Sequence, residues 1–391
     1  MSVERSWGGV VAVAVWQITA SSTYYGVFAA TAAVSTAFGV SRTQIGILLA
    51  TLTLGYTLML FPAGAVVDAY GDRPSMVAGL SLLGVGSVII SFAPTYAVLL
   101  LAVFLLGSAY ATAMPSTNRA IASRAPRGRY NLAIGIKQVG VTGGSAIASI
   151  AVTNASRVGG TWRSAFFAVG VVAAVVAVVF ALRYGGTTDR SEVSFPDLRR
   201  LRSNSTYVML AASGFFIGAA VFTTTGYFVP YLNEAGTSVE IAGIALATMQ
   251  VSGSMGRVAV GELADRIPGA GGLGAMRVMM IQLTTAAALF LALPLSWVSV
   301  DVAFVAVLGV SILGVTGLYH GTLVRLVDRD ETGAATAGGQ TTINLGGLLT
   351  PPAFGLLADA FGYSIGWWLI GAGTALSVVV VFLARRRVET A

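Results

Sequence analysis

Long apolar runs broken by short polar connections set the pattern of this chain. Twelve of them are long enough, at about 20 residues, to cross a ~30 Å hydrocarbon layer as helices. They cover 8–33, 43–66, 75–93, 96–118, 131–154, 162–182, 206–231, 239–263, 275–295, 300–324, 333–357 and 364–384. The strict polar–apolar alternation of barrel strands is absent. The first run is too long for a cleavable signal and continues as a span. The pattern predicts an all-α polytopic membrane protein with twelve transmembrane helices.

Composition sharpens this reading. Only 10% of the 391 residues are charged and 55% are hydrophobic, with a mean hydropathy of +0.81. A soluble domain carries about 25% charged residues, so an ordinary cytosolic enzyme or a disordered scaffold is excluded. No cysteine and a single histidine, His320, leave nothing for disulfides, thiolate metal sites or iron–sulfur clusters. No cofactor is called for, and no cluster of catalytic side chains supports an enzyme. A phosphate-cradling Gly-x-x-x-x-Gly-Lys-[Ser/Thr] loop is missing too, so ATP is not the direct energy source.

The net charge of +7 acquires meaning from its placement. With the N-terminus inside, eighteen of the 23 basic residues fall on the cytoplasmic side and only Arg42, Arg157 and Arg163 outside, while Lys137 and Arg257 lie within spans. Basic residues near span ends are retained in the cytoplasm, which predicts both termini there and a multi-pass protein of the cytoplasmic membrane. Spread over many short loops, these charges set topology; they form no stripe for nucleic acid. Residues 183–205 are long, polar and mixed in charge, and separate a six-span half at 1–182 from another at 206–391.

The two halves repeat each other. Gly64-Ala-Val-Val-Asp68 ends the second span and Gly261-Glu-Leu-Ala-Asp265 the eighth, each at the cytoplasmic end. Gly143-Gly144 in the fifth span has a counterpart in Gly346-Gly347 of the eleventh. Two parallel six-helix repeats follow. Glycine permits close backbone approach, and an aspartate at a helix end accepts hydrogen bonds from a neighbouring helix N-terminus. Gly64, Asp68, Gly71, Arg73, Gly261, Asp265 and Arg266 are therefore candidate gating residues, forming a cytoplasmic latch.

The loop Gly64-x-x-x-Asp68-Ala69-Tyr70-Gly71-Asp72-Arg73-Pro74 resembles the signature of the major facilitator superfamily, and the resemblance covers essentially the whole chain. Ala69 stands where that signature has a basic residue; Asp265-Arg266 keeps it in the second half. Within the superfamily the N-terminal half is most similar to the monocarboxylate and oxalate/formate porters. The residues concerned are Tyr25-Gly26-Val27-Phe28, Phe38-Gly39-Val40-Ser41-Arg42, Arg73-Pro74-Ser75-Met76 and Leu132-Ala133-Ile134-Gly135 with Gly140. Their acidic, glycine-rich first-span motif and first-span lysine are missing. The resemblance implies the major facilitator fold and transport by alternating access.

An ionisable group at membrane depth costs at least ~2.5–3.5 kcal/mol, so each requires a reason. Arg257 lies six residues before the end of the eighth span, roughly 9 Å into the apolar layer. Ser252, Gly253, Ser254 and Gly256 surround it with a small, polar face, which favours an anion site over snorkelling to the headgroups. The resemblance adds that the monocarboxylate porters bind substrate through an arginine in an Arg-x-x-x-Gly pattern here, matched by Arg257 and Gly261. Lys137, at similar depth in the fifth span, is a candidate second cation. Tyr24, Tyr25, Tyr227 and Tyr231 could orient a carboxylate or form an aromatic belt, and Gln138, His320 and Asn344 complete the candidate substrate-binding set, with Gln17 and Gln250 behind them.

The function expected is secondary transport of a small organic anion, a mono- or dicarboxylate, as proton symport or anion exchange. The partners expected are that anion, protons and the lipid bilayer, with the chain working as a monomer. Efflux of lipophilic or cationic compounds calls for an intramembrane carboxylate, and none is seen. A nitrate or nitrite porter resembles the chain in its glycine-rich spans, but would want an arginine where the repeat places Leu60.

Overall fold

In hydrocarbon, backbone N–H and C=O groups find no water, so a spanning segment must satisfy them internally as a helix. The computed structural model of the protein follows that requirement and describes residues 6–127, 129–185, 200–267, 272–295, 300–328 and 331–390. Its α-helices are, in order, α1 (Trp7–Ala29), α2 (Thr31–Phe38), α3 (Arg42–Tyr70), α4 (Asp72–Phe92), α5 (Tyr96–Tyr110), α6 (Ala113–Arg124), α7 (Tyr130–Thr153), α8 (Trp162–Arg183), α9 (Ser205–Glu234), α10 (Val239–Arg266), α11 (Leu273–Ala292), α12 (Val302–Leu308), α13 (Val315–Arg325), α14 (Thr332–Phe361) and α15 (Tyr363–Thr390). No strand occurs among the described residues. Each expected span is met by one helix or by consecutive helices; the first is α1 with α2, the fourth α5 with α6, the tenth α12 with α13. Most of the expected connection at 183–205 lies outside the described residues.

Eight of these spans are long and apolar enough to cross a membrane by length and composition alone. The first, fifth, eighth and eleventh fall short of that measure. Those four carry Gln17, Lys137, Arg257 and Asn344 among many Gly, Ser and Thr residues. Polar side chains lower the apolar average of the helices that hold the candidate chemistry. By contrast α8 turns Val171, Val172, Val175, Val178, Val179 and Leu182 outward, an apolar face suited to lipid.

The chain forms two compact units. The first comprises residues 1–39, 51–195 and 232–247, and the second 40–50, 196–231 and 248–391. The opening turns of α3 thus pack with the second unit, and those of α10 with the first. Within the first unit α1 lies along α7, and a Cβ at Gly144 would overlap the Ile18 carbonyl oxygen. Within the second, a Cβ at Gly346 would overlap the Phe215 carbonyl of α9. The repeated glycine pairs thus do one job twice, letting two backbones touch. Gly71 (φ 89°) turns the chain from α3 into α4, a conformation that a side chain would strain.

Candidate functional site

The first unit buries Lys137 almost completely, at 2% exposure, and its Nζ donates to Asn118 Oδ1 at 3.0 Å. The ammonium is held inward by α6 and does not snorkel. Beside it, α1, α5 and α6 share a line of hydrogen bonds. Thr117 Oγ1 donates to Gln17 Oε1 (3.2 Å), Gln17 Nε2 donates to Ser21 Oγ (3.0 Å), and Ser21 Oγ bonds Tyr110 Oη (3.1 Å). Tyr110 stacks on Tyr24 at 4.2 Å between ring centroids, with Tyr25 and Tyr56 edge-on to Tyr24 at 5.2 and 6.0 Å. Tyr24 is buried and Tyr25 half-buried, so this pair is part of an aromatic cluster inside the unit and not a belt facing lipid. Gln138 is half-buried.

At one end of the same unit the signature loop is held by charge. Asp68 is exposed and faces Arg119 of α6 at 3.6 Å, and Arg119 Nη1 also donates to the Asp68 carbonyl at 3.3 Å. One partner of the Asp68 carboxylate is thus a guanidinium on α6. Nothing lies within 4 Å of a Cβ built at Gly64 or at Gly261, so neither glycine is required by close packing. Arg73 Nη2 donates to the Ala181 carbonyl at 2.6 Å. The neighbouring Asp72 is fully buried and accepts from Tyr184 Oη at 3.0 Å, while Arg124 Nε donates to the same hydroxyl at 2.8 Å and the Arg124 guanidinium stacks 3.9 Å over the Tyr184 ring.

The second unit builds its site around an irregular turn. Between α12 and α13, residues Gly309–Leu313 form a π turn, closed by Gly314 N–H donating to the Gly309 carbonyl at 3.2 Å. A π turn widens the helix and leaves carbonyls short of their usual partners. Here side chains from two neighbouring helices fill the gap. Gln282 Nε2 of α11 donates to the Val310 carbonyl (2.7 Å), and Arg257 Nε of α10 to the Leu313 carbonyl (3.0 Å). The half-buried Arg257 is therefore pinned to a helix inside its unit. It lines a cavity of about 240 Å³ with Gly261, Ala264, Ala275, Gly317, Leu318, Gly321, Thr322 and Arg325.

Beyond Arg257 a polar file runs from α13 to α14. His320 Nδ1 bonds the Thr316 carbonyl at 2.9 Å, its buried Nε2 has no hydrogen-bond partner among the described residues, and Arg257 and Gln340 are close enough to act on the ring electrostatically. Gln340 Nε2 in turn donates to Oδ1 of the buried Asn344 at 2.9 Å. Arg257, His320 and Asn344 are thus brought together. Tyr227 and Tyr231 are not: Tyr227 Oη donates to the Arg42 carbonyl at 2.5 Å and is 3.1 Å from that of Pro351, and Tyr231 Oη donates to the Leu293 carbonyl at 2.8 Å. Both hydroxyls are spent on backbone. Arg266 pairs with Glu262 one turn earlier, and the Asp265 side chain lies outside the described residues.

Asn118, Arg119, Gln340 and Arg325 escaped the sequence reading. Asn118 and Arg119 precede Lys137 by less than twenty residues, and a search for amides and counter-charges near each buried cation is the signal that finds them.

Helices of spanning length around buried polar clusters define a multi-pass membrane protein of transporter type. The profile of the Major Facilitator Superfamily matches residues 11–339, and the chain belongs to that superfamily. It is similar to an uncharacterised MFS-type transporter of Mycobacterium tuberculosis (26% identical, 88% of this chain, 77% of the relative). The probable sulfoacetate transporter SauU of Cupriavidus necator is 24% identical over 88% of this chain and 86% of its own. Monocarboxylate transporter 13 of Bos taurus is 28% identical over 80% and 73%. Among solved structures, an inward-facing, unoccupied bacterial homologue of the human lysosomal transporter Spinster superposes with a TM-score of 0.78 at 17% identity, covering 98% of this chain and 97% of that one. The chain is a transporter and not an enzyme.

Proposed function

We propose that the protein is a secondary transporter that moves a small organic anion across the cytoplasmic membrane by alternating access, with Arg257 as the residue that holds the anion. The observation that carries this is the placement of Arg257: half-buried, fixed at Nε by the Leu313 carbonyl, and lining a cavity of about 240 Å³ within its unit. A guanidinium offers a planar fork that matches a carboxylate or sulfonate, and the low dielectric around it strengthens the pairing. Relatives whose names refer to sulfoacetate and to monocarboxylates favour the same chemistry. His320 and the Gln340–Asn344 pair supply further polar groups on the same side of α13 and α14. Lys137 is a second cation in the first unit. Charge is balanced by a proton carried with the substrate or by exchange of one anion for another.

The test is uptake into proteoliposomes from a panel of mono- and dicarboxylates, sulfonates, nitrate and lipophilic cations, with and without a pH gradient. Saturable uptake of an organic anion, lost in Arg257→Ala, is the expected result. Transport confined to lipophilic cations would replace the reading with efflux.

A further inference from the structure

His320, the single histidine of the chain, holds a ring nitrogen that its own unit does not use. Its Nδ1 lies 2.9 Å from the Thr316 carbonyl, which can only accept, so Nδ1 carries the hydrogen. In the neutral ring Nε2 is then a bare acceptor. That atom is shielded from solvent, and no protein group among the described residues donates to it. A buried acceptor left unmet costs about 1–3 kcal/mol, so the position calls for a hydrogen.

The neighbours suit a ring that gains one. Gln340 stands near enough to act on the ring, and its Nε2 is committed to Oδ1 of the buried Asn344 at 2.9 Å. Its other amide atom is an oxygen, which only accepts. Arg257 of α10 is the charged group that acts on the ring, and Tyr319 of α13 lies edge-on to it at 5.1 Å. Tyr319 reaches α9 at the Ala211 carbonyl, where Tyr207 is the titratable group that acts on it. On α14 the ionisable residue is Asp359, about 28 Å along the axis from Gln340, and on α11 it is Arg277.

The cavity begins beside this ring. Gly317 and Gly321 line it, and a Cβ at Gly317 would meet Cγ and Cβ of Arg257 at 3.7 and 3.8 Å. His320 follows Gly317 by three residues, which sets it about 60° round the helix from that wall. A charge on the ring and a charge in the cavity thus face each other around one helix edge, in a low dielectric that strengthens their interaction. A proton on Nε2 favours an anion in the cavity, and by linkage the anion favours the proton to the same extent. This holds whatever else Arg257 touches.

We propose that His320 carries the transported proton, making the protein a proton–anion symporter whose proton rides on the protein and not on the substrate. The Nε2 lone pair takes a proton from water on one side as the anion enters, giving an imidazolium. It returns that proton to water on the other side as the anion leaves. One positive and one negative charge cross together, so the cycle is electroneutral. The proposal rests on the anion-transport reading and adds to it the driving force.

The experiment uses the full-length protein, freed of any histidine tag, with propionate and ethanesulfonate as probes of similar size. A sulfonate stays ionised at any working pH and cannot carry the proton itself. In proteoliposomes a gradient of one pH unit should accumulate ethanesulfonate about tenfold, the limit for one proton per anion. His320→Asn keeps a donor for the Thr316 carbonyl but takes no proton, so it should let the anion equilibrate and lose the accumulation. With one histidine in the chain, isotopic labelling of histidine nitrogen gives magnetic-resonance ring signals from His320 alone. Adding ethanesulfonate to the wild type at constant pH should move them toward the imidazolium position, which keeps the proposal testable should the variant fold poorly. Ring signals unmoved by the anion, accumulation of propionate without ethanesulfonate, or full accumulation by His320→Asn would each overturn the proposal and leave anion transport standing. Uptake of neither probe would overturn both.

Discussion

The Asp359 carboxylate near the end of α14 accepts both the backbone amide of Thr43, at 2.8 Å, and its hydroxyl, at 2.6 Å. The Arg42 amide joins them at 3.0 Å. Helix starts leave N–H groups without intrahelical acceptors, and an adjacent Ser or Asp normally takes them. Here Ser41 Oγ takes the Gln44 amide at 3.3 Å, and the Arg42 and Thr43 amides are taken by a residue more than 300 positions away, with a separation of 316 for Thr43. Arg42 returns the contact, donating Nη1 to the Ala358 carbonyl at 2.7 Å and lying 4.8 Å over the Tyr363 ring.

Asp359→Ala is accordingly expected to cost about 1 kcal/mol, the usual worth of a helix cap, and Asp359→Asn less. The contact also has a pH signature, because Asp359 lies beyond the apolar run of its helix. Burial pushes its carboxyl up, but hydrogen bonds from Thr43, Arg42 and Ser41 outweigh that and hold it below its ordinary value of 3.8. A depressed carboxylate stabilises at all pH above the ordinary value and loses that contribution as pH falls through the lowered one. Thermal unfolding should therefore show no Asp359-dependent change between neutral and mildly acid pH. A difference between wild type and Asp359→Asn that shrinks already at pH 6 would count against the cap.

Asp68 is exposed and its partner Arg119 half-buried, and ion pairs at the surface contribute about 0–1 kcal/mol. Asp68→Ala should hardly move the melting temperature. If the pair belongs to a cytoplasmic latch, the same change alters labelling of cytoplasmic-side cysteines and the transport rate more than substrate affinity. Unaltered labelling and rate would make the loop a simple turn.

Arg257→Ala should lower substrate affinity roughly thirtyfold or more, equivalent to at least ~2 kcal/mol for a charge-assisted contact. Arg257→Lys keeps the charge without the fork or the Nε–H that reaches Leu313, so rescue should be partial. Identical affinities in wild type, Lys and Ala variants would remove Arg257 from the substrate.

The distribution of basic residues leads to a fourth expectation. A reporter fused after Ala391 should report cytoplasm, and one placed in the connection around Arg157 should report the outside. The opposite pattern would invert the orientation.

The spans were legible because lipid imposes one requirement, length and apolarity, that is written locally in the chain. Arg257 and Lys137 were legible for the converse reason, as charges where charge is costly. What escaped was set by neighbours far along the chain. Nothing local in Gly309–Leu313 announces a π turn, which is completed by Gln282 and Arg257 from other helices. Arg325 counted as a topology residue, since its place on a cavity wall exists only once α10, α11 and α13 are packed. The hydroxyls of Tyr227 and Tyr231 looked available because their carbonyl acceptors lie on other segments.

The widened turn at Gly309–Leu313 also sets the rotational phase of everything after it. A π turn holds one more residue than the α turn it replaces, and each residue advances a helix by about 100°. Thr316, Gly317, His320, Gly321 and Arg325 occupy their compass bearings because of that single extra residue. A chain shortened by one position there could remain helical and apolar throughout, yet it would swing both cavity glycines and Arg325 a quarter-turn or more away from α10. The cavity wall on α13 is thus specified by a residue count as well as by residue identity.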